Sequence, residues 1–511
     1  MTSTAHSTTT LPMAQDTLWQ RILLAGILLL AAILRLYQLD HYSLWADEVW
    51  GVLDCSKGNL QALVSRLMYT DNHPPGYEAS LYFWIKLFGS SDFSVRLPSV
   101  ITGSAAVFAI YRCGQRHFHP YTGLVAACLL AGSFQAIYYS QEARAYSPLL
   151  LACLLNAYAF LNLFLDKSGK PSDRWLFCIS GTFMLYLHYT GAVFLASEGL
   201  VFLFLWCKER NKAFFIAGVQ NFVPVLVLYG PWLPTMYDHA NVIDTYWAPK
   251  PTINEFVHLW QFLLGPGNGL YTVQLACLLA AALLAIRDTL PVNPADPATR
   301  KTATLFALLL VPMAIFFAKS HYTQSIHEER HFIYGIPLIC LLVADYICRM
   351  ANHLDNKTSL TALIAVITVV LAFEQVRSNQ ENRLYSLNNK QEIREAADVV
   401  FRDKAFARSK DIIISSHEFF IHYLKRNNIR NSYQCCFTDT TPLQDIQAVI
   451  KKKETRTFYF LEMILPNQPM LGLLQSQYRQ ICMSELNMVR VSKFRTDTPP
   501  ATRSVMPACP L

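Results

Sequence analysis

Charge is scarce in this chain: only 15% of its 511 residues are Asp, Glu, Lys or Arg, while 53% are hydrophobic. Soluble domains carry about a quarter charged residues, so a wholly water-solvated fold is excluded. The shortage is uneven. From Ile22 to Phe373, apolar stretches of about 15–20 residues recur, long enough to cross a bilayer as helices. Basic residues are missing from Met1–Gln20, which are polar and rich in Ser and Thr. A secretory signal peptide would begin with them, so residues 1–21 read as a disordered cytoplasmic tail. No zinc-type CxxC pair occurs, and most of the thirteen cysteines lie inside apolar stretches as small core residues. No basic stripe with interleaved aromatics occurs either. The net charge of +7 therefore reads as basic residues held in cytoplasmic loops, not as nucleic-acid binding.

What is present is a polytopic α-helical membrane protein with a small α/β tail. The apolar pattern predicts about eleven spans, at 22–39, 95–111, 121–139, 147–165, 175–188, 191–206, 213–232, 270–286, 303–318, 332–348 and 359–374. Trp175–Trp206 is divided into a hairpin because basic residues flank both of its ends, Lys167 to Arg174 and Lys208 to Lys212. Tyr77–Phe88 is too short and aromatic for a span and reads as an interfacial helix. The short loops then sort by charge. Arg112 and Arg116, Lys167 to Arg174, Lys208 to Lys212, Arg287 to Lys301 and Arg349 to Lys357 share one side, expected to be cytoplasmic. The loop 40–95 and everything after Phe373 fall on the other side.

The expected organisation is a membrane domain over 22–374, an extracytoplasmic α/β domain over 375–495 and a disordered tail over 496–511. In the α/β domain, Gln391–Phe401 is helical by period. Asp411–Ile414, Tyr433–Phe437, Thr457–Leu461 and Met488–Phe494 read as strands. Amphipathic Glu418–Lys425 and Leu443–Lys451 separate them. No GxGxxG or P-loop sequence occurs there. Cys435, Cys436, Cys482 and Cys509 leave room for one disulfide, with no spacing that selects a pair.

The chemistry gathers on the outer side. Loop 40–95 is long for a membrane protein, and long loops are commonly functional. It holds Trp45-Ala46-Asp47-Glu48, then Asn72-His73-Pro74-Pro75-Gly76-Tyr77. A carboxylate can take the proton of an attacking hydroxyl. Asp and Glu equally favour the first turn of a helix, and both readings of the pair stand. His73 precedes two prolines, which hold the backbone extended and present the imidazole from a stiff support. It can bind phosphate or metal, or merely pack against the turn. Glu142 and Arg144 begin the fourth span. Arg144 sits on the side disfavoured for positive charge, which a phosphate or carboxylate partner would explain. Arg330 and His331 lie at the outer edge of the tenth span and can reach a lipid phosphate, while Lys319 reads as snorkelling. His188 and Glu198 read as buried polar groups without an assigned role.

The motifs occur in a recognisable order: Trp45-x-Asp47-Glu48, His73-Pro-Pro-Gly-Tyr77, Leu87-Phe-Gly-x-x-Asp92-Phe-x-x-Arg96-Leu-Pro-Ser99, Tyr138-x-x-Gln-Glu142-Ala-Arg144-x-Tyr146, and Glu329-Arg-His-Phe332 before Ile336-Pro337. This order resembles the GT-C superfamily of membrane glycosyltransferases. It resembles most the family 39 branch of protein mannosyltransferases and lipid A aminoarabinose and galacturonosyl transferases. The resemblance covers about Ile22–Arg349. It implies an integral enzyme of the bacterial inner membrane that takes a sugar from a polyprenyl-phosphate carrier. The acceptor is a glycan, lipid or protein hydroxyl on the extracytoplasmic face, and transfer inverts the sugar. Carried over, Asp47 is the general base and Glu48 its companion. His73, Arg144 and Arg330 bind the donor phosphate, with Glu142, Tyr77 and His331 in support. Some relatives bind a divalent cation, but no complete ligand set is visible here. The alternative is a transporter or flippase of lipid-linked substrates. Transporters place polar groups near the bilayer midplane, often with internal repeats; here the charges sit at span ends and no repeat is seen.

Overall fold

The computed structural model describes residues 17–70, 73–242, 250–266, 269–289, 297–322, 325–351, 357–386, 390–403, 411–426, 433–434, 443–452, 456–464, 470–500 and 507–509. Its helices, in order, are α1 (Leu18–Leu36), α2 (Ala46–Ser56), α3 (Leu60–Thr70), α4 (Gly76–Phe88), α5 (Asp92–His117), α6 (Thr122–Gly132), α7 (Phe134–Ser140) and α8 (Tyr146–Phe160). Then follow α9 (Pro171–Leu187), α10 (Tyr189–Glu209), α11 (Lys212–Tyr229), α12 (Leu233–Val242), α13 (Ile253–Leu264), α14 (Gly269–Thr289), α15 (Pro297–Tyr322), α16 (Gly335–Ala351) and α17 (Lys357–Glu381). The tail adds α18 (Ile393–Arg402), β1 (Ile412–Ser415), α19 (Phe420–Arg426), β2 (Tyr433–Gln434), α20 (Leu443–Lys452), β3 (Thr457–Met463), α21 (Met470–Gln477), β4 (Arg479–Leu486) and β5 (Val489–Arg495).

The chain forms two compact units. One comprises Met1–Tyr37, Val64–Tyr77 and Arg96–Leu384; the other comprises Gln38–Leu63, Glu78–Val95 and Tyr385–Leu511. The second differs from the expected boundary at residue 375. Two segments of the long outer loop belong with the C-terminal domain.

Each predicted span coincides, within a few residues at its ends, with a helix or with consecutive helices. Among the described residues, eight helices are long and apolar enough to cross a membrane, and a ninth span results if α6 and α7 count as one. The remaining two predicted spans correspond to α9 and α16, of 17 residues each. The expected hairpin is two separate helices, broken at His188, whose backbone is extended at φ −163° and ψ 146°. The α6–α7 pair bends by 61° at Ser133. Such a break strands carbonyls in an apolar setting, where each unmet group is costly. Polar side chains meet them. Arg35 donates to the Ala131 and Leu130 carbonyls (2.9 and 3.1 Å), Gln375 to Leu129 (2.8 Å) and Asn379 to Gly132 (2.9 Å).

The second unit is built on a five-stranded sheet in the order β2-β1-β3-β5-β4. β1 runs parallel to β2 and β3, whereas β5 is antiparallel to β3 and β4. Alternating Ile412 and Ile414, Phe458 and Phe460 share one face and pack with Ile446, Ile450, Leu474 and Phe494, as the period-two side-chain rule demands. Of the predicted strands, the second is described only at Tyr433–Gln434, and its continuation lies outside the described residues. So do Cys435 and Cys436, residues 1–16, and Asn72. β4 was not predicted. Cys482 on β4 forms a disulfide with Cys509, and the Met483 amide donates to the Pro507 carbonyl at 3.0 Å. The segment expected to be disordered over 496–511 is therefore tied to the sheet at Pro507–Cys509.

Candidate functional site

The candidate base lies on α2 in the second unit. Trp45 is extended at the helix entry, and its backbone N–H donates to the Glu48 carboxylate at 3.2 Å. Glu48 is fully buried, so its carboxylate is an N-terminal cap facing the positive end of the helix dipole. Asp47 is half-buried and keeps access to solvent. Glu48 thus fills the helix-start role, and both carboxylates lie in the first turn of α2. Polar groups from the tail hold this helix entry. The Ala46 amide donates to Gln391 Oε1 (3.1 Å), and the Leu44 amide donates to the Tyr423 hydroxyl (2.8 Å). Tyr423 in turn donates to Asp92 (3.0 Å), which Arg394 also reaches at 3.2 Å.

The candidate phosphate site lies in the first unit. The His73-Pro-Pro turn is carried against the end of α9 by Gly76. A Cβ at Gly76 would lie 2.6 Å from the Tyr186 carbonyl oxygen, so only glycine permits the approach. This places the His73 ring 5.5 Å from the His188 ring, centroid to centroid, and His188 lies 5.0 Å from His331. Arg144, in the turn between α7 and α8, approaches His73 with Nη2 3.4 Å from Nε2. Arg330 lies over the Tyr146 ring at 5.7 Å and pairs with Glu328 at 3.1 Å. Tyr146 is itself 6.0 Å from His188. Four separate stretches of sequence thus deliver two guanidiniums and three imidazoles to one place, all at helix ends.

Hydrogen bonds fix how two of the imidazoles present themselves. His188 caps α10, and its Nδ1 accepts the Thr190 backbone N–H at 3.1 Å. The neutral ring then carries its proton on Nε2, a donor. His331 Nδ1 donates to the Ile326 carbonyl at 2.9 Å, leaving Nε2 as an acceptor. Burial, reinforced by the Arg330 charge, pushes the His331 pKa down to about 3, so this ring is neutral at neutral pH. The cluster can receive a polyanionic group through Arg144 and Arg330, with imidazole donors beside them.

Of the residues singled out by sequence, His73, Arg144, Arg330 and His331 converge. Tyr77 is buried in the first turn of α4, and Glu142 is buried two residues before Arg144. Asp47 and Glu48 belong to the other unit. His188 had no role assigned, yet it occupies the middle of the cluster. Its signal was present: the hairpin topology already placed it at the outer turn, on the same side as His73 and Arg144. For the divalent cation, no group of three His, Cys, Asp or Glu side chains placed to hold a metal occurs among the described residues.

Residues 72–232 match the family described as dolichyl-phosphate-mannose-protein mannosyltransferase. No curated protein sequence matches the chain. ArnT from Cupriavidus metallidurans superposes with a TM-score of 0.59 at 10% identity, over 95% of this chain and 99% of that one in the apo state. The same enzyme bound to undecaprenyl phosphate gives 0.59 and 10%, over 96% and 100%. The oligosaccharyltransferase AglB from Archaeoglobus fulgidus, in complex with an inhibitory peptide and a dolichol-phosphate, gives 0.51 and 10%, over 93% and 74%. At these identities the likeness is one of fold.

Proposed function

We propose that this chain is a GT-C-type membrane glycosyltransferase that transfers a sugar from a polyprenyl-phosphate-linked donor to a hydroxyl acceptor on the extracytoplasmic face of the bacterial inner membrane, a reading supported by its fold and by the mannosyltransferase family match over residues 72–232. The observation that carries the reading is the convergence of Arg144, Arg330, His73, His188 and His331 at helix ends in a membrane-spanning unit. A phosphodiester at headgroup depth is the ligand such a cluster suits. The ArnT structure that shares this fold is bound to undecaprenyl phosphate, itself a polyprenyl phosphate.

In the reaction, the Asp47 carboxylate takes the proton of the acceptor hydroxyl. The acceptor oxygen forms a bond to the anomeric carbon as the bond from that carbon to the phosphate oxygen breaks. The electron pair leaves with polyprenyl phosphate, whose growing charge Arg144 and Arg330 stabilise, with His73 and His188 donating. The phosphate is a good leaving group, so the demands are a base and charge stabilisation, and attack opposite the leaving group inverts the sugar. Two features support an extracytoplasmic C-terminal domain. Basic residues collect in the loops of the opposite side, and the Cys482–Cys509 disulfide suits an oxidising compartment. Mass spectrometry of envelope lipids and glycans, with and without the gene, tests the whole reading. A glycan modification lost with the gene and restored by wild type but not by Asp47→Asn is expected. An unchanged envelope, or full rescue by Asp47→Asn, refutes it.

A further inference from the structure

We propose that Trp50, Phe419 and His417 form an aromatic platform for the acceptor, taking the apolar face of a pyranose ring. The inference rests on the glycosyltransferase reading and names the class of acceptor at the Asp47 side of it. All the residues lie in the second unit.

The first observation is the rings themselves. Trp50 is 40% exposed, although it belongs to a helix whose neighbouring positions, Val49, Val52 and Leu53, are buried. It follows Asp47 by three residues, so the two share a helix face. The Trp50 ring meets Phe419 edge-on at 5.9 Å and 65°, and His417 stacks on Phe419 at 5.5 Å and 11°. The three rings thus touch in sequence, with Phe419 and His417 half-buried and bracing the exposed Trp50 ring, which lies one helical turn from the candidate base.

The second observation is topological and independent of the rings. β1 lies between its parallel partners β2 and β3. The chain leaves the carboxyl end of β1 through α19 to β2, and the carboxyl end of β3 through α21 to β4. The connections diverge at the β1–β3 junction. In open α/β sheets, the crevice outside the strands' carboxyl ends at such a switch point is where ligands bind. Residues 416–419 are the turn at this point. Ser416 spans the two strands, its amide donating to the Leu461 carbonyl (3.0 Å) and its hydroxyl accepting the Met463 amide (3.2 Å).

The polar rim identifies the occupant. Lys57 Nζ donates to both Glu418 oxygens at 3.0 Å, and the Ser416 hydroxyl lies 2.9 Å from His417 Nδ1. The charges beside the rings are thus balanced, one ammonium against one carboxylate, with a hydroxyl next to them. That suits a neutral polyol better than a phosphate or an acidic peptide, which would call for one sign of charge. An apolar, flat face with hydroxyls around its edge describes a pyranose.

Saturation-transfer NMR on the full-length protein in phosphatidylethanolamine–phosphatidylglycerol nanodiscs, free of sugar headgroups, tests this. Methyl α-D-mannopyranoside and methyl α-D-glucopyranoside are the probes, and acyclic glucitol is the control. Saturation is expected at pyranoside ring C–H protons and not on glucitol. Trp50→Leu and Phe419→Leu should weaken pyranoside binding about tenfold, whereas Trp50→Phe, which keeps a ring, should retain most of it. Equal saturation of glucitol, unchanged signals in both leucine variants, or equal loss in Trp50→Phe would overturn the proposal. Undecaprenyl phosphate binding by the wild type, measured alongside, separates the two readings. Donor binding without pyranoside saturation overturns the platform alone. Pyranoside saturation without donor binding supports the platform and removes the donor reading.

Discussion

Asp47 and Glu48 are neighbours in sequence with different surroundings, and substitution should separate them. Asp47→Asn removes the proposed proton acceptor while keeping shape and polarity. General-base loss costs about 10²–10⁴-fold in rate, so kcat should fall by that order while binding of undecaprenyl phosphate is unchanged. Glu48→Gln keeps an acceptor for the Trp45 amide but removes the charge at the helix entry. It should lower thermal stability, by about 0.5–1 kcal/mol, and leave most of the activity, a split read from unfolding and turnover on the same sample. His331 offers a pH signature. Its folded pKa of about 3 lies below the ordinary 6.5. Above pH 6.5 both folded and unfolded states are neutral. As pH falls below 6.5, the unfolded state takes up a proton that the buried ring refuses, so stability is lost, at up to about 1.4 kcal/mol per pH unit. The wild type should therefore lose more thermal stability between pH 7.5 and pH 5 than His331→Asn, measured by differential scanning fluorimetry.

At the scale of elements, the bent α6–α7 pair shows what the sequence could and could not reveal. Apolar length alone located the segment 121–139, because crossing a bilayer demands it. The break at Ser133 was invisible, since its cause lies elsewhere: Arg35, Gln375 and Asn379 sit far away in sequence and supply the missing hydrogen bonds. The same logic hid the centre of the Arg–His cluster. His73, Arg144 and Arg330 were legible one at a time from motif and sidedness; sidedness also put His188 at the outer turn, but its closeness to His73 and His331 follows only from how α9 and α10 turn there. β4 escaped for a different reason. Its sequence, Arg-Gln-Ile-Cys-Met-Ser-Glu-Leu, alternates in burial but mixes polar residues into both faces of an edge strand. The capping of the break makes a prediction. Arg35→Met leaves the Leu130 and Ala131 carbonyls unmet, each at about 1–3 kcal/mol. The variant should insert normally yet unfold at a clearly lower temperature, and an unchanged melting point would show that the carbonyls find other donors.

Across the whole molecule, the division into units does not follow chain order. The segment that carries Asp47 is built together with residues more than three hundred positions away. Tyr423 joins the Leu44 amide to Asp92, Arg394 reaches Asp92 as well as the Asp40 and His41 carbonyls, and Gln391 receives the Ala46 amide. A tail that merely hung from α17 would have no need to grip the entry of α2. The C-terminal domain is thus a support for the Asp47 helix, and its effect on turnover should be separable from its effect on folding. Tyr423→Phe removes both the acceptor for Leu44 and the donor to Asp92 while keeping the buried ring. The variant should lose kcat by roughly an order of magnitude, about 1.4 kcal/mol for two hydrogen bonds, with donor KM unchanged because the cationic cluster belongs to the other unit. Asp92→Asn, which keeps an acceptor for the hydroxyl, should lose less. A rise in donor KM with kcat intact would instead tie Tyr423 to donor binding and refute the support role.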